Sequence, residues 1–495
     1  MNISLSTQAD GYVTEIPYVA GYQRGLNPVL QAFTLNVHSV GAWQIGTPMT
    51  YLELGCGFGL STLIHAAANP QATFIGVDIL PEHVATARGL AEAAGLTNVK
   101  FIEGSFAALP DLGLPACDFI AMHGVWSWIN AENRAHIVKC VEAKLKPGGV
   151  LYVSYNALPG SAAVLPVRQL MMAEFARAQG TVPERIAAAI ALADSVKAIG
   201  GGFFADNPLA SHRFEELKTH PANYLAHEYF NADWQAFYSK DVASTFAAAG
   251  LRFASHADLF STVDNFHFVP STRVELQRIQ DPTLRETYRD FAIDRQFRAD
   301  LYVRPANTPP YPGQQLTTTR FFAAVPPQRI DVIEIKTAFG KVAPPHKEGM
   351  AVLEALWSRP LTVRELAQNP AFNGIPPQNL INLLIFSVAA FAAAEPAFSN
   401  DGEAARIDST RRLNRAIWEK NVDQFWTEAN ASPVTGGAVE VSREDQMYFL
   451  ARARGIDPIS FAAQTLNAPE ANLRASYQTF EADRLPAYQR FGVGL

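Results

Sequence analysis

Met49-Thr50-Tyr51-Leu52-Glu53-Leu54, followed by Gly55-Cys56-Gly57-Phe58-Gly59 and then by Leu60 to Ala68, is the stretch on which the fold turns. A short apolar run, a turn of alternating glycines and a helix-spaced apolar segment predict strand, glycine turn, helix. The next segments repeat the alternation. Thr73 to Val77 reads as a strand ending on Asp78, and Pro81 to Ala94 places Val84, Ala87, Ala91 and Ala94 at helical spacing before Gly95 stops it. Val99 to Ile102 and Phe119 to Met122 read as two further strands. A helix from about Ala131 to Lys146, with Ile137, Val141 and Leu145 on its core face, is closed by Lys146-Pro147-Gly148-Gly149 before a strand from Val150 to Ser154. This order predicts an α/β fold, a doubly wound and mostly parallel sheet with helices on both faces.

The length of 495 residues suggests roughly three units of about 150 each. At 48% hydrophobic and 18% charged the chain is an ordinary globular sequence, which excludes long-range disorder as its main state. Its net charge of −7 argues against a nucleic-acid partner, whose phosphates are met mostly by Lys and Arg. Cys56, Cys117 and Cys140 lack the spacing of a disulfide framework or a zinc site, and the first residues lack a secretory pattern. The longest apolar run, Leu383 to Ala394, is about a dozen residues where a membrane span needs about 20, and no basic amphipathic helix offers a membrane anchor. A cytoplasmic protein with neither membrane nor nucleic acid as partner is expected.

Three units can be drawn: residues 1–205, with a core at 48–156; residues 206–304; and residues 305–495. The chain is Ala-rich and helical from Gly160 to about Lys197, and Gly200-Gly201-Gly202 reads as a hinge or loop. The helix Asp241 to Ala249, Gly250, and the strand Leu251 to Ser255 either belong to the second unit or complete the sheet of the first. Pro305 to Gly313 reads as a linker. Beyond it the sequence is mainly helical, and the helices near Met350 to Trp357, Val363 to Gln368 and Asn379 to Ala390 suggest a winged-helix-like arrangement. The last of them is too apolar to read DNA bases, so packing against another domain or a second subunit is the better reading, and a homodimer is one expectation.

Chemistry concentrates at the glycine turn. Gly55, Gly57 and Gly59 let the backbone bend sharply at the end of the first strand and approach a ligand closely. Asp78 lies 25 residues after Glu53 at the end of the second strand, placed either to accept hydrogen bonds from the hydroxyls of a ribose or to cap the helix that Pro81 starts. The spacing departs from Gly-x-Gly-x-x-Gly and an acid, Glu53, opens the loop, so a dinucleotide is disfavoured. No metal is expected, because the eleven histidines are scattered.

Glu53-Leu54-Gly55-Cys56-Gly57-Phe58-Gly59, the strand end Gly76-Val77-Asp78, and Leu145-Lys146-Pro147-Gly148-Gly149 resemble the class I S-adenosylmethionine-dependent methyltransferases over residues 48 to 156. The longer strings His123-Gly124-Val125-Trp126-Ser127-Trp128, Ser154 to Gly160 and Asp290 to Arg298 resemble the bacterial members with a methyltransferase regulatory domain, among them rickettsial-type protein lysine methyltransferases. The resemblance implies that Glu53, Gly55, Gly57 and Gly59 cradle the methionine end of S-adenosylmethionine, Asp78 holds its ribose, and Ser105 with Phe106 flanks the adenine. Position 105 departs from the pattern, since many relatives carry an acid there.

The resemblance also implies that His123, Trp126, Tyr155 and Asn156 line a substrate mouth, with His123 reaching the cofactor as well. Trp126 and Trp128 would wall a cation through ring attraction worth ~0.5–2 kcal/mol, or would simply cap the sheet edge. Tyr12, Tyr18 and Tyr22 would close over the mouth as a lid. His227, Glu228 and Asp233 form a second cluster, with ordinary interdomain contacts as the plainer reading. A protein lysine amine is the expected acceptor. A small molecule or natural product is the alternative, and a non-catalytic cofactor-binding protein the second alternative.

Overall fold

The computed structural model describes residues 8–9, 12–13, 20–41, 43, 45–200, 202–306, 314–324, 327, 335–337, 340–342, 346–391, 394–398 and 402–494. Tyr18, Gly201, most of the expected linker (307–313) and the side chain of Tyr12 lie outside them.

Seven strands form the central sheet: β1 (Thr50–Leu54), β2 (Thr73–Asp78), β3 (Val99–Glu103), β4 (Cys117–Met122), β5 (Leu145–Asn156), β6 (Arg252–His256) and β7 (Phe297–Val303). Their order is β3-β2-β1-β4-β5-β7-β6. β1 to β5 pair in parallel, while β7 runs antiparallel to β5, from Val150 opposite Val303 to Asn156 opposite Phe297, and β6 runs antiparallel to β7. The helix-glycine-strand near 241–255 therefore completes the first sheet, and a boundary at 205 separates β5 from the strand that hydrogen-bonds it.

Period-two alternation decides which side chains face which layer. Leu52 and Leu54 point with Ile120, Leu151 and Val153 toward α4 (Ala131–Lys144) and α9 (Ser239–Ala248). Tyr51, Phe74, Phe119 and Tyr152 point the other way, toward α1 (Pro28–Val37). On that side α2 (Leu60–Ala68) and α3 (Pro81–Ala93) also pack. Asn27 caps α1 by accepting the Val29 N–H, with Pro28 at the first helical position. The helix expected to run to Lys146 stops at Lys144, because Pro147 biases its predecessor toward extended backbone. Gly148 and Gly149 then exchange backbone hydrogen bonds with Arg304, so the strand begins at Leu145.

Between β5 and α9 the chain inserts a helical layer, α5 (Leu165–Arg177), α6 (Val182–Ala198), α7 (Pro208–Leu217) and α8 (Ala222–Tyr229), held by its own cluster of Met171, Phe175, Ile186, Phe214 and Phe230. Between β6 and β7 stands α10 (Pro282–Ala292).

The C-terminal part has two pieces. The first is winged-helix-like: a three-stranded sheet of β8 (Arg320–Ala323), β9 (Leu361–Thr362) and β10 (Ala394–Ala397) packs with α11 (His346–Ser358), α12 (Val363–Ala367) and α13 (Pro377–Phe391). Leu380, Leu384, Phe386 and Val388 of α13 are buried in a core shared with Leu30 and Phe33 of α1 and with Leu259 and Phe266, the Phe266 and Phe386 rings lying 5.2 Å apart, so of the two expected roles for this apolar helix the structure shows packing against another part of the chain. The second piece lays α14 (Glu403–Asp423) across α2 and α3, where Leu413, Ile417 and Trp418 share one core with Leu63, Ile64 and Ala67, and packs α15 (Arg443–Arg454) on α14. Among the described residues no helix is long and apolar enough to cross a membrane.

Candidate active site

A cavity of about 1070 Å³ opens at the carboxyl ends of β1 to β5, bordered by Glu53, Gly57, Asp78, Ser105, His123 and Asn156 among others. Parallel strands direct their loops to this edge, where the glycine turn leaves a space that side chains would fill. The Gly55 and Cys56 N–H groups both donate to the Val77 carbonyl (2.8 and 3.1 Å), folding the turn back over β2.

The three glycines do different work. All have positive φ, at +71°, +55° and +68°. A Cβ on Gly55 would stand 2.5 Å from Val125, and one on Gly59 would stand 2.5 Å from Phe101 and 2.9 Å from Ala87. One on Gly57 would meet nothing within 4 Å, because the cavity begins there. Gly59 does not border the cavity. Its smallness lets α2 approach β3 and α3, which corrects its expected place in the cradle.

Asp78 is nearly buried and fixes the turn: Gly57 N–H donates to its Oδ2 (2.8 Å), Leu80 N–H donates to its Oδ1 (3.0 Å), and the His83 ring nitrogen Nδ1 lies 3.2 Å from Oδ1. It is not the cap of α3, whose N-cap is Leu80. A carboxylate has roughly four acceptor positions, so these three contacts leave room for a ligand hydroxyl. Glu53 lies on the opposite wall of the turn, where it accepts a hydrogen bond from the Thr62 hydroxyl. Burial raises its carboxyl to about 7, the Thr62 bond lowers it in part, and the Asp78 charge pushes it up further. Ser105 and Phe106, at the end of β3, border the cavity as well.

Of the residues expected at the mouth, His123, Trp128 and Asn156 border the cavity. His123 Nδ1 lies 2.8 Å from the Tyr152 hydroxyl, and burial drops its imidazole to about 4, so at neutral pH it is an uncharged polar group. Trp126 and Tyr155 do not reach the mouth. The Trp126 ring packs in the core against Phe246 (5.1 Å) and Phe237 (6.4 Å). Tyr155 neighbours Asn156 on β5 and therefore faces the other side of the sheet, where its hydroxyl donates to Asp300 Oδ2 at 2.6 Å.

The expected N-terminal lid is partly described. Ala20, Gly21 and Gln23 border the cavity, and Gln23 N–H donates to Ser61 Oγ (3.0 Å) at the start of α2. Tyr22 turns away, its ring edge-on to His65.

Sequence reasoning missed the far wall. It comes from α7 and α8, which contribute Glu216, Leu217, Tyr224, His227 and Glu228, with His220 from the turn between them and Trp234 and Phe297 beside them. His227 and Glu228 of the second cluster thus face the cavity, whereas Asp233 does not border it. The signal was the density of aromatic and titratable residues in Tyr224 to Trp234, but nothing local in that string says which surface it covers.

Comparison with known proteins adds an independent line. Residues 45–206 match the methyltransferase domain family, and residues 221–304 match a family described as a predicted methyltransferase regulatory domain. The protein sll1526 of Synechocystis sp. is 34% identical over 508 residues, covering 98% of this chain and 100% of its own. RP789 of Rickettsia prowazekii is 28% identical over 58% of this chain and 51% of its own. Among solved structures, PKMT2 from Rickettsia typhi in complex with AdoHcy matches with a TM-score of 0.64 over 91% of each chain at 18% identity, a likeness of fold.

Proposed function

Because this chain belongs to the class I S-adenosylmethionine-dependent methyltransferases that carry a methyltransferase regulatory domain, we propose that it methylates a lysine amine of a protein in the cytoplasm. S-adenosylmethionine, the cofactor of this class, supplies a methyl group on an activated sulfonium.

The residues present fit that cofactor. The cavity reaches bare backbone at Gly57, Asp78 stands beside it with acceptor capacity left for a ribose hydroxyl, and Ser105 and Phe106 border the segment expected for the base. Gly55 borders the cavity too, and its lack of a Cβ lets the turn sit against Val125. Glu53 is poised to ionise beside a cationic ligand. His123 stays neutral and so does not repel one.

The observation that carries the lysine reading is the far wall. The cavity that begins at the glycine turn ends on Tyr224, Tyr229 and Trp234 with the carboxylates Glu216 and Glu228, a set of rings and acids suited to an alkylammonium. Arg213, also on this wall, lies 3.7 Å from Asp294 and is balanced by it. Bound here, the cofactor would supply an electrophilic methyl group, and the acceptor ammonium would have to give one proton to solvent or to a nearby carboxylate before its nitrogen could take the methyl. Asn156, at the end of β5, and Trp128, in the loop after β4, border the cavity.

The test is incubation with cofactor labelled in its methyl group and fractionated cell extract, followed by hydrolysis of the protein fraction. Label recovered as methyl-lysine supports the reading. Label confined to material below a few kilodaltons assigns a small-molecule acceptor instead, and cofactor binding without any transfer assigns a non-catalytic role.

A further inference from the structure

Helix α10 is amphipathic with its faces reversed. Leu284, Tyr288 and Phe291, at positions i, i+4 and i+7, form one stripe, and they are 55%, 41% and 57% exposed. The opposite face carries Glu286, Arg289 and Asp290, turned into the protein. There Arg298 Nη1 donates to Asp290 Oδ1 (2.6 Å), its Nη2 donates to Glu286 Oε2 (2.9 Å), and its Nε donates to Asp300 Oδ1 (3.0 Å). Arg289 closes the set by pairing with Asp264. A surface helix ordinarily buries its apolar stripe and leaves its charges in water. Here the ion pairs fix the orientation and hold three large apolar side chains outward.

We propose that this ridge docks the polypeptide acceptor, gripping apolar residues a few positions along the chain from the amine to be methylated. The inference rests on the protein-acceptor reading given above.

Two observations select this occupant over a second copy of the chain. Two half-exposed rings, at about half of the roughly 150–250 Å² that an aromatic side chain offers, and one half-exposed leucine present at most on the order of 300 Å². A stable dimer buries about 800 Å² per partner. The ridge is also joined to the cavity rim by short stretches of chain. The Phe291 ring stacks on Tyr238 (6.0 Å, 4° between planes), and Trp234, four residues earlier, borders the cavity. Phe297, six residues after Phe291, borders it too and is 39% exposed. Six residues of chain reach at most ~20 Å, so an extended peptide of similar length joins ridge to rim.

The double variant Leu284→Ser/Phe291→Ser tests this on the full-length protein, with Leu284→Met/Phe291→Leu as the apolar control. The probe is the soluble protein of a cell extract above about 10 kDa, incubated with methyl-labelled cofactor. At limiting protein the serine variant is expected to transfer at least about tenfold more slowly than wild type, with the loss shrinking as protein concentration rises. The melting temperature and the calorimetric cofactor Kd should be unchanged, and the apolar control should retain most of the wild-type rate. Equal rates for wild type and serine variant overturn the docking ridge while leaving the lysine reading in place. So does a wild-type dimer, seen by sedimentation, that the serine pair dissociates. A wild type that labels no protein overturns the acceptor reading, and this inference with it.

Discussion

Replacing Glu53 by Gln should change how the stability of the ligand-free protein depends on pH. The folded chain holds this carboxyl at about 7 against an ordinary 4.5, chiefly because it is buried, with the Thr62 hydroxyl opposing and Asp78 reinforcing the rise. A folded-state value above the unfolded one means that the unfolded chain gives up its proton first. The associated stability is fully present below about pH 4.5 and is lost as pH rises through 7. A gap of about 2.5 in pKa corresponds to roughly 3 kcal/mol in all, of which roughly 2.5 kcal/mol falls between pH 5 and pH 8. Gln keeps an oxygen for the Thr62 hydroxyl and has no proton to lose over this range, so Glu53→Gln should lack that component. Urea unfolding of both proteins at pH 5 and pH 8 gives the double difference. Parallel pH dependence, within about 0.5 kcal/mol, would show that Glu53 is ionised at neutral pH without cost, and the reasoning from burial would fail. The cofactor sharpens the test, because its positive charge favours the carboxylate. Wild-type affinity should rise as pH increases toward 7 and level off above it, and the Gln variant should show no such rise.

Asp78→Ala removes the acceptor of the Gly57 and Leu80 N–H groups and should weaken calorimetric cofactor binding at least about tenfold, since hydrogen bonds to a charged group contribute about 1.5–3 kcal/mol. Gly59→Ala and Gly57→Ala should separate: the first drives a methyl into Phe101 and Ala87 and should lower stability by about 1–3 kcal/mol in urea. The second should melt nearer to wild type but lose cofactor affinity, because its methyl enters the cavity. Trp126→Ala should cost about 3–5 kcal/mol of stability as a core truncation. Its cofactor Kd in the folded protein should stay near the wild-type value, and a large rise in Kd would return Trp126 to the mouth.

What could be read from the chain was what neighbours along it decide. The strand, glycine turn and helix at 49–68, and Asp78 at the end of the next strand, are local patterns, and the sheet places them together because consecutive parallel strands lie side by side. Tyr155 shows where such reading loses resolution. The string Ser154 to Gly160 marks the site, but only the pleat decides that Asn156 faces the cavity and Tyr155 the core. The far wall was beyond local reading, since α7 and α8 reach the cavity through the packing of the inserted layer. In α10, residues with ordinary helical spacing imply an apolar face turned inward. The reversal is enforced by Arg298 on β7 and by Asp264, both outside the helix.

The pairing of β5 with β7 also has a consequence for synthesis of the chain. About 140 residues separate Asn156 from Phe297, its partner. At roughly 5–20 residues per second the ribosome needs on the order of 10–30 s to deliver the strand that covers β5. During that interval the nascent chain carries five parallel strands whose outer member bares a row of unpaired backbone groups, the template on which other chains aggregate. The helices α5 to α8 emerge in the same interval with a core of their own, and can condense while the edge waits. A chaperone that engages nascent chains would find its strongest binding window here, after the cofactor loop has left the ribosome and before the sheet closes.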